Sequence, residues 1–462
     1  SGRTDTNMRA IHCGIDIGST NLNVVMVGDD GRVLYTRSIP APRVSDGVGL
    51  VTDAFALVQE LEGLIIDGWR EVGNGQPLRS IAAAGVGEDG IGVDSDFRPL
   101  GYALPWFDRR ATGEVQILQR HTYLSTRAGI AIDADRTACK WLWLHHNRPQ
   151  DLATAQYWIA LTDFPAVWWS GNAFMSNSVA PRTACYDVYK RQWIDELLLA
   201  CHAPPLPPLM QAGQIVGSVR TGPLRESGAA SSTTLVVAGG HDHPVAATII
   251  RRHDVTARVD SMGTANLVYG ETNNAAAKLQ DPLLAYSLPP TGDKGIACLG
   301  VLEMNSALQA IEQDSVYLRS YLAQTHLQGS PSETANRDAS KLLDRDSRIR
   351  SGLETASFKA LRLFDAMDSA GVPHGAIYST GGWSRSRAFV ELRASVFGEA
   401  INVIGDMELT AIGAALFGAE AATGQSVCPI KKEDIVTIAP VKNWAVAYQS
   451  AYREYINASP SQ

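Results

Sequence analysis

Between residues 11 and 39 the apolar positions fall in three runs separated by two polar bends. The first run carries an acid, Asp16, near its end and turns on Gly18, Ser19 and Thr20. A second run, 22–27, leads back to Gly28-Asp29-Asp30-Gly31, and 32–39 alternates as a third strand. Residues 50–72 then place Leu57, Val58, Leu61, Leu64 and Ile65 at helical spacing, and Gly73-Asn74-Gly75 stops the helix. Residues 80–87 are short, apolar and glycine-ended, the pattern of a buried parallel strand. Glu88, Asp89 and Gly90 lie at its carboxyl end, where open α/β sheets hold ligands. The pattern predicts a hairpin within 91–110 and a mainly helical section over 111–202.

The proline-rich stretch 202–208 reads as a rigid connector. A new apolar strand opens at Leu235 and ends in Gly239-Gly240-His241-Asp242-His243. The second half echoes the first. Asp260-Ser261-Met262-Gly263-Thr264 follows one apolar run and precedes another, as Asp16-Ile17-Gly18-Ser19-Thr20 does. Helices are expected over 302–324, 352–369, 385–397 and 443–456, with 327–349 polar and exposed. Strands are expected from 375 and over 400–404. Residues 408–422 read as a small-residue helix suited to close packing. The boundary is placed near 237, giving domains 11–237 and 238–462 of an α/β protein.

Composition narrows the field. A chain of 462 residues exceeds one ordinary core. Its net charge of −8 argues against a surface built for nucleic acid. The six cysteines form no Cys-x-x-Cys pair, which fits free thiols in a reducing, cytoplasmic setting. No apolar run is long enough to span a bilayer, and the polar stretch 1–7 is read as lying outside the fold. The adjacent His145 and His146 point in different directions on a helix, which suits a surface pair better than a metal site.

The first bend has chemical use. Glycine admits close approach, backbone and hydroxyl donors can meet phosphate oxygens, and Asp16 can hold Mg²⁺ or its waters. A plain hairpin explains the same residues equally well. Asp108 and Arg110, taken alone, read as a surface ion pair.

Four motifs in order change that balance: Asp16-Ile17-Gly18-Ser19-Thr20; Trp106-Phe107-Asp108-Arg109-Arg110; Gly239-Gly240-His241-Asp242-His243 with Gly263-Thr264; and Gly381-Gly382-Trp383-Ser384 followed by Glu408 and Ala411–Gly413. Together they resemble the FGGY carbohydrate kinase family, over roughly residues 11–430. The resemblance implies two RNase H-like domains of the actin/sugar kinase/Hsp70 type with a cleft between them, and an ATP-dependent transfer to a hydroxyl of a ketose or polyol. It implies Asp242 as general base and Asp16 at Mg²⁺, directly or through water. It places Gly18, Ser19, Thr20, Gly263 and Thr264 at the ATP phosphates, and Gly381, Gly382, Ser384 and Glu408 on the adenosine side. Trp106, Asp108 and Arg110 lie by the sugar, with Glu88, Asp89, His241 and His243 as further substrate contacts. A homodimer is implied only at family level. This chain departs from the pattern at Asn23, where a cation is common, and at Glu88-Asp89, where many members carry a glutamine. Those departures motivate a rival reading, a catalytically weak sugar or nucleotide sensor on the same fold.

Overall fold

The computed structural model describes residues 9–273 and 281–458. The chain forms two compact units. One comprises the residues up to Arg252 together with Tyr286–Ile296 and Glu408–Pro429; the other comprises His253–Ala285, Ala297–Met407 and the chain from Ile430.

The first unit is built on a six-stranded sheet. Its strands are β1 (Ile11–Ile17), β2 (Asn21–Gly28), β3 (Val33–Pro40), β4 (Ser80–Gly85), β7 (Ile215–Ser218) and β8 (Leu235–His241), with β5 (Gly90–Val93) and β6 (Tyr157–Ala160) forming a separate pair. The spatial order is β3-β2-β1-β4-β8-β7. β3, β2 and β1 run antiparallel in turn, β1, β4 and β8 run parallel, and β7 returns antiparallel. Both faces are covered, so β1 and β4 are buried almost throughout, as their unbroken apolar runs require. On one face lies α1 (Ala54–Val72), whose Asp53 carboxylate caps the amides of Phe55 and Ala56. α2 (Thr137–Asn147) belongs to the section between β5 and β8, α3 (Asp242–His253) follows directly on β8, and α4 (Leu409–Thr423) packs on the sheet's other face.

A seven-stranded sheet, all of it in the second unit except Tyr286, Ser287 and Ile296, repeats the plan. Its strands are β9 (Arg258–Met262), β10 (Asn266–Thr272), β11 (Ala285–Ser287), β12 (Ile296–Leu302), β13 (Ile377–Thr380), β14 (Ile401–Ile404) and β15 (Ile435–Ile438), ordered β11-β12-β10-β9-β13-β14-β15. β10 is antiparallel to β9, β9, β13 and β14 are parallel, and β15 is antiparallel. The run β10-β9-β13-β14-β15 thus matches β2-β1-β4-β8-β7 in order and sense. The sequence echo between Asp16 and Asp260 is a true structural repeat.

α4 departs from a simple division of the chain into halves. It lies in the C-terminal half of the sequence yet belongs to the first unit, whereas a single boundary near 237 leaves it in the second. The reason is steric. Nearly every side chain from Leu409 to Ala419 is buried, so the helix needs apolar cover all round. Gly14 on β1 supplies the room: a Cβ there would stand 1.9 Å from the Ala411 carbonyl oxygen and 2.7 Å from the Ala415 nitrogen. Gly14→Ala should therefore push α4 off the sheet at a cost of about 1–3 kcal/mol or more, read as a lowered Tm. Gly113→Ala, where a Cβ meets nothing within 4 Å, is the matched control and should leave Tm nearly unchanged.

Three local expectations change. The hairpin expected within 91–110 forms only as a short fold-back, with the Leu100 N–H donating to the Gly92 carbonyl at 2.9 Å and the Asp94 N–H to the Arg98 carbonyl at 3.0 Å, while the regular ladder of β5 runs to β6. The buried run of β5 needs an apolar partner, and Trp158-Ile159 offers one, whereas 95–99 is polar and ends in Pro99, which has no N–H to give. On the near side a single bridge, Val93 to Pro99, sits between those two hydrogen bonds. The helix expected over 302–324 is two, Met304–Ile311 and Ser315–Leu322, because the Asp314 carboxylate caps Val316 and Tyr317 and starts a new helix. The helix expected over 352–369 begins earlier, at Arg345, behind an Asp344 cap. The six cysteines are free thiols, five of them buried. No helix among the described residues is long and apolar enough to cross a membrane.

Candidate active site

Asp242 owes its position to a bulge. Along β8, Ala238 pairs with Ala83 but Gly240 pairs with Ala84, so Gly239 is the extra residue. A Cβ on Gly239 would stand 1.9 Å from the Ala83 carbonyl oxygen, so only glycine fits the bulge. The strand then ends on His241, whose N–H donates to Ser178 Oγ at 2.9 Å, and Asp242 opens α3. The Asp242 carboxylate accepts the His243 N–H at 2.8 Å and is 17% exposed. An acid at a helix start also meets the favourable end of the helix dipole. Burial is the main cause that raises its pKa, and Glu88 adds to it, while His243, its N–H and Arg182 pull the other way.

The flanking histidines differ. His241 is buried, and burial, followed by the charges of Arg182, His243 and Arg136, lowers its pKa well below the ordinary imidazole value. It is therefore neutral near pH 7, and its 3.4 Å approach to Asp242 is no ion pair. Its Nδ1 is buried and has no hydrogen-bond partner among the described residues. The His243 ring is 41% exposed, with Nε2 3.6 Å from Asp242.

Asp16 ends its strand beside the first bend, where Gly18 donates to the Asn21 carbonyl at 3.0 Å. Its pKa is raised well above the ordinary carboxylate value, first by burial and then by the negative charge of Asp242; Glu408 adds further repulsion, and a hydrogen bond from Asn23 opposes it. Asn23 lies directly opposite on β2 and donates to Asp16 Oδ2 at 3.3 Å. Asp16 Oδ1 is buried and has no hydrogen-bond partner among the described residues. An orphaned carboxylate oxygen among like charges suits a hard divalent cation, which takes oxygen ligands. Asp16 thus suits Mg²⁺, direct or through water, and Asp242 and Glu408 add negative charge around it, although among the described residues no three His, Cys, Asp or Glu side chains are gathered closely enough to enclose a metal by themselves. Ser19 and Thr20 complete the bend, and the Ser19 carbonyl accepts Arg43 Nη2 at 2.7 Å. Arg43 also lies 5.6 Å from the Phe107 ring, tying the bend to the Trp106–Arg110 segment.

At the end of β4, Glu88 and Asp89 part ways. Glu88 is clamped by Arg182 Nη2 at 2.6 Å and Arg136 Nη1 at 3.2 Å. Glu88, an acid where many members of the family carry a glutamine, is therefore neutralised by two cations. Asp89 accepts the Trp106 N–H at 2.8 Å, and burial, with Glu88 beside it, lifts its pKa to about 7.

Asp108 and Arg110 do pair, but not at the surface: the pair is buried within a larger network. Arg110 gives Nε and Nη2 to Asp108, each at 2.9 Å, and Nη1 to Asp46 at 2.7 Å, and it stacks 4.9 Å from the Trp143 ring. Arg148 also reaches Asp46, at 2.8 Å. Burial disfavours charge on Asp108, yet the hydrogen bonds of Arg110 hold its pKa below the ordinary value. Lys140, buried on α2, donates to the carbonyls of Asp108 and Ala134 at 2.5 Å each. These contacts fix the loop that presents Trp106. Arg110→Met removes one partner from two buried carboxylates. It should cost about 3–5 kcal/mol, read in denaturant unfolding as a loss several-fold larger than that from Arg109→Met, whose side chain is 64% exposed.

The second unit holds the other motifs. Its repeat acid, Asp260, is not orphaned: Arg393 binds it through Nε at 2.8 Å and Asn266 at 2.7 Å, all three being buried. The second bend carries Thr264 exposed. Gly381 packs so closely on it that a Cβ would stand 2.4 Å from the Met262 carbonyl oxygen. Ser384 Oγ donates to the Gly381 carbonyl at 2.5 Å. Gly263, Thr264, Gly381, Gly382 and Ser384 are thus gathered in one unit. Glu408 is not among them. It begins α4 in the first unit, where its charge acts on Asp16.

Sequence reasoning missed Arg136, Arg182, Arg43 and Ser178. Each reaches the site from a segment with no motif, and nothing in local spacing marks them.

Residues 11–248 match the model of the FGGY family of carbohydrate kinases, N-terminal domain, and residues 314–422 match that of its C-terminal domain. The chain is 27% identical over 268 residues to the xylulose kinase of Lactococcus lactis subsp. lactis (strain IL1403), covering 55% of this chain and 52% of that protein. The match thus spans about half the length of that curated relative. With the L-fuculokinase of Escherichia coli (strain K12) it shares 21% identity over 443 residues, 87% of this chain and 91% of that one. The crystal structure of xylulose kinase from Rhodospirillum rubrum has the same fold, with TM-score 0.85, 16% identity and coverage of 97% of this chain and 98% of that chain.

Proposed function

The chain belongs to the FGGY family of carbohydrate kinases, and from that premise we propose that it transfers the terminal phosphoryl group of ATP to a hydroxyl of a ketose or polyol, with Asp242 as general base. A sugar hydroxyl is a weak nucleophile near neutral pH, so a carboxylate must take its proton. The observation that carries the reading is the bulge at Gly239. It delivers a largely buried carboxylate, anchored by its own neighbouring N–H, whose charge acts on a second acid, Asp16, and among the described residues the Oδ1 of Asp16 has no hydrogen-bond partner. Raising the pKa of Asp242 makes it a stronger base than a solvated carboxylate.

Asp16, with Asp242 and Glu408 nearby, would hold Mg²⁺, which supplies charge neutralisation at the phosphates when bound. Backbone donors at Gly18–Thr20 and at Gly263–Thr264 serve the phosphate chain, and Gly381, Gly382 and Ser384 serve the adenosine side. Trp106 offers an apolar face to the sugar, while neutral His241 and exposed His243 offer hydrogen bonds to its hydroxyls.

ADP release measured over a panel of ketoses, aldonates and polyols tests the assignment. Stimulation by one sugar class supports it. Measurable sugar binding with no stimulated ADP release by any member would replace the kinase reading with the sensor.

A further inference from the structure

A cavity of about 360 Å³ beside Tyr452, one of about 460 Å³ beside Tyr102, and the stacked His145–His202 pair all lie outside the proposed active site. A larger cavity carries a more definite chemistry. It has a volume of about 560 Å³ and lies wholly within the second unit, in the size range of small-molecule sites.

The cavity lies along the seam between two packed helices. Gly352, in the helix Arg345–Ser369, lies so close to the helix Met304–Ile311 that a Cβ would meet Ile311 Cδ1 at 2.5 Å. Two of the lining residues are small, Ala307 on one helix and Ala356 on the other, and the hollow beside them is unfilled. Val301, at the end of β12, lines the gap and is left 55% exposed. An exposed β-branched side chain beside an unfilled apolar hollow is surface that a ligand would bury with profit in free energy.

The rim is charged. Arg337 and Lys359 are both exposed, and among the described residues neither side chain has a hydrogen bond or ion pair. The one carboxylate of the lining is Glu303. Two unpaired cations against one acid leave the rim net positive.

We propose that this cavity binds a small amphiphilic anion: an apolar body seated against Val301, Ala307 and Ala356, with a single carboxylate, sulfonate or phosphate group meeting Arg337 and Lys359. The site is separate from the Gly263–Thr264 and Gly381–Ser384 residues, none of which lines it. It therefore stands whether or not the kinase reading does.

The test is a fluorescence titration of the full chain with 1-anilinonaphthalene-8-sulfonate, at saturating ATP so that the nucleotide site is occupied. A saturable component is expected. Ala307→Trp, which fills the cavity from an exposed helical position, should abolish it. The double variant Arg337→Glu/Lys359→Glu should weaken it at least ten-fold without touching the apolar lining. Octanoate should displace the probe at least ten-fold more effectively than octanol. Circular dichroism of each variant establishes that the fold is kept. Unchanged titrations in both folded variants, or equal displacement by octanoate and octanol, would overturn the proposal.

Discussion

Asp242→Asn is expected to lower kcat by about 10²–10⁴-fold, the ordinary contribution of a positioned general base. The amide keeps the size of the carboxylate and an oxygen that can still accept the His243 N–H, so the turn at the start of α3 should survive. It loses the capacity to take a proton. ATP and sugar affinities, measured by calorimetry, should change little. The pH profile supplies an independent reading. In the wild type, kcat/KM should rise with pH as Asp242 loses its proton, at a pH above the ordinary carboxylate value because burial raises its pKa. In the variant that limb should vanish. Near-normal turnover by Asp242→Asn would remove the base from this position.

Asp16→Asn should separate stability from function. Asp16 has a raised pKa, caused first by burial and then by Asp242. A carboxylate whose folded pKa is raised contributes stability at acid pH, and that contribution is lost as pH rises through the folded value. At pH 8 the wild type therefore carries the cost of a buried charge facing like charges. The variant does not. In the absence of divalent cations its Tm should exceed that of the wild type at pH 8, by roughly 2–4 °C per kcal/mol recovered, and the gain should shrink as the pH falls toward 4. Added Mg²⁺ should stabilise the wild type more than the variant, because a ligand that binds only the native state raises its stability. Turnover should fall at the same time, with the Mg²⁺ concentration for half-maximal rate raised by at least about ten-fold. A variant that is less stable than the wild type at pH 8 without Mg²⁺ would contradict the electrostatic account of Asp16.

How much of this the sequence shows depends on how local each feature is. The three opening strands and the bend at Gly18 are local, since period-two runs and a glycine turn specify them without help. The repeat at Asp260 is legible for the same reason. The pairing of β5 with β6 is not, because its partner lies far along the chain and a nearer, poorer partner looks adequate on paper. Nor is the home of α4, which depends on the fit between Gly14 and Ala411, two positions related only by the fold. Asn23 shows how a departure from a family pattern misleads. By sequence it marks a missing cation. In the structure it faces Asp16 across the strand pair and donates to it. Glu88 makes the same point with opposite sign. It counts as an acid in the sequence, but Arg136 and Arg182 meet it from segments without motifs.

The central claim is that phosphoryl transfer to a sugar hydroxyl occurs on this chain. The direct measurement is a single turnover with enzyme in excess over γ-labelled ATP and Mg²⁺, run with each sugar that calorimetry shows to bind. The account predicts label moving from ATP to the sugar in the wild type and remaining in ATP with Asp242→Asn, although both bind. Label that stays in ATP with every bound sugar in the wild type, or that moves as fast in the variant, would contradict it.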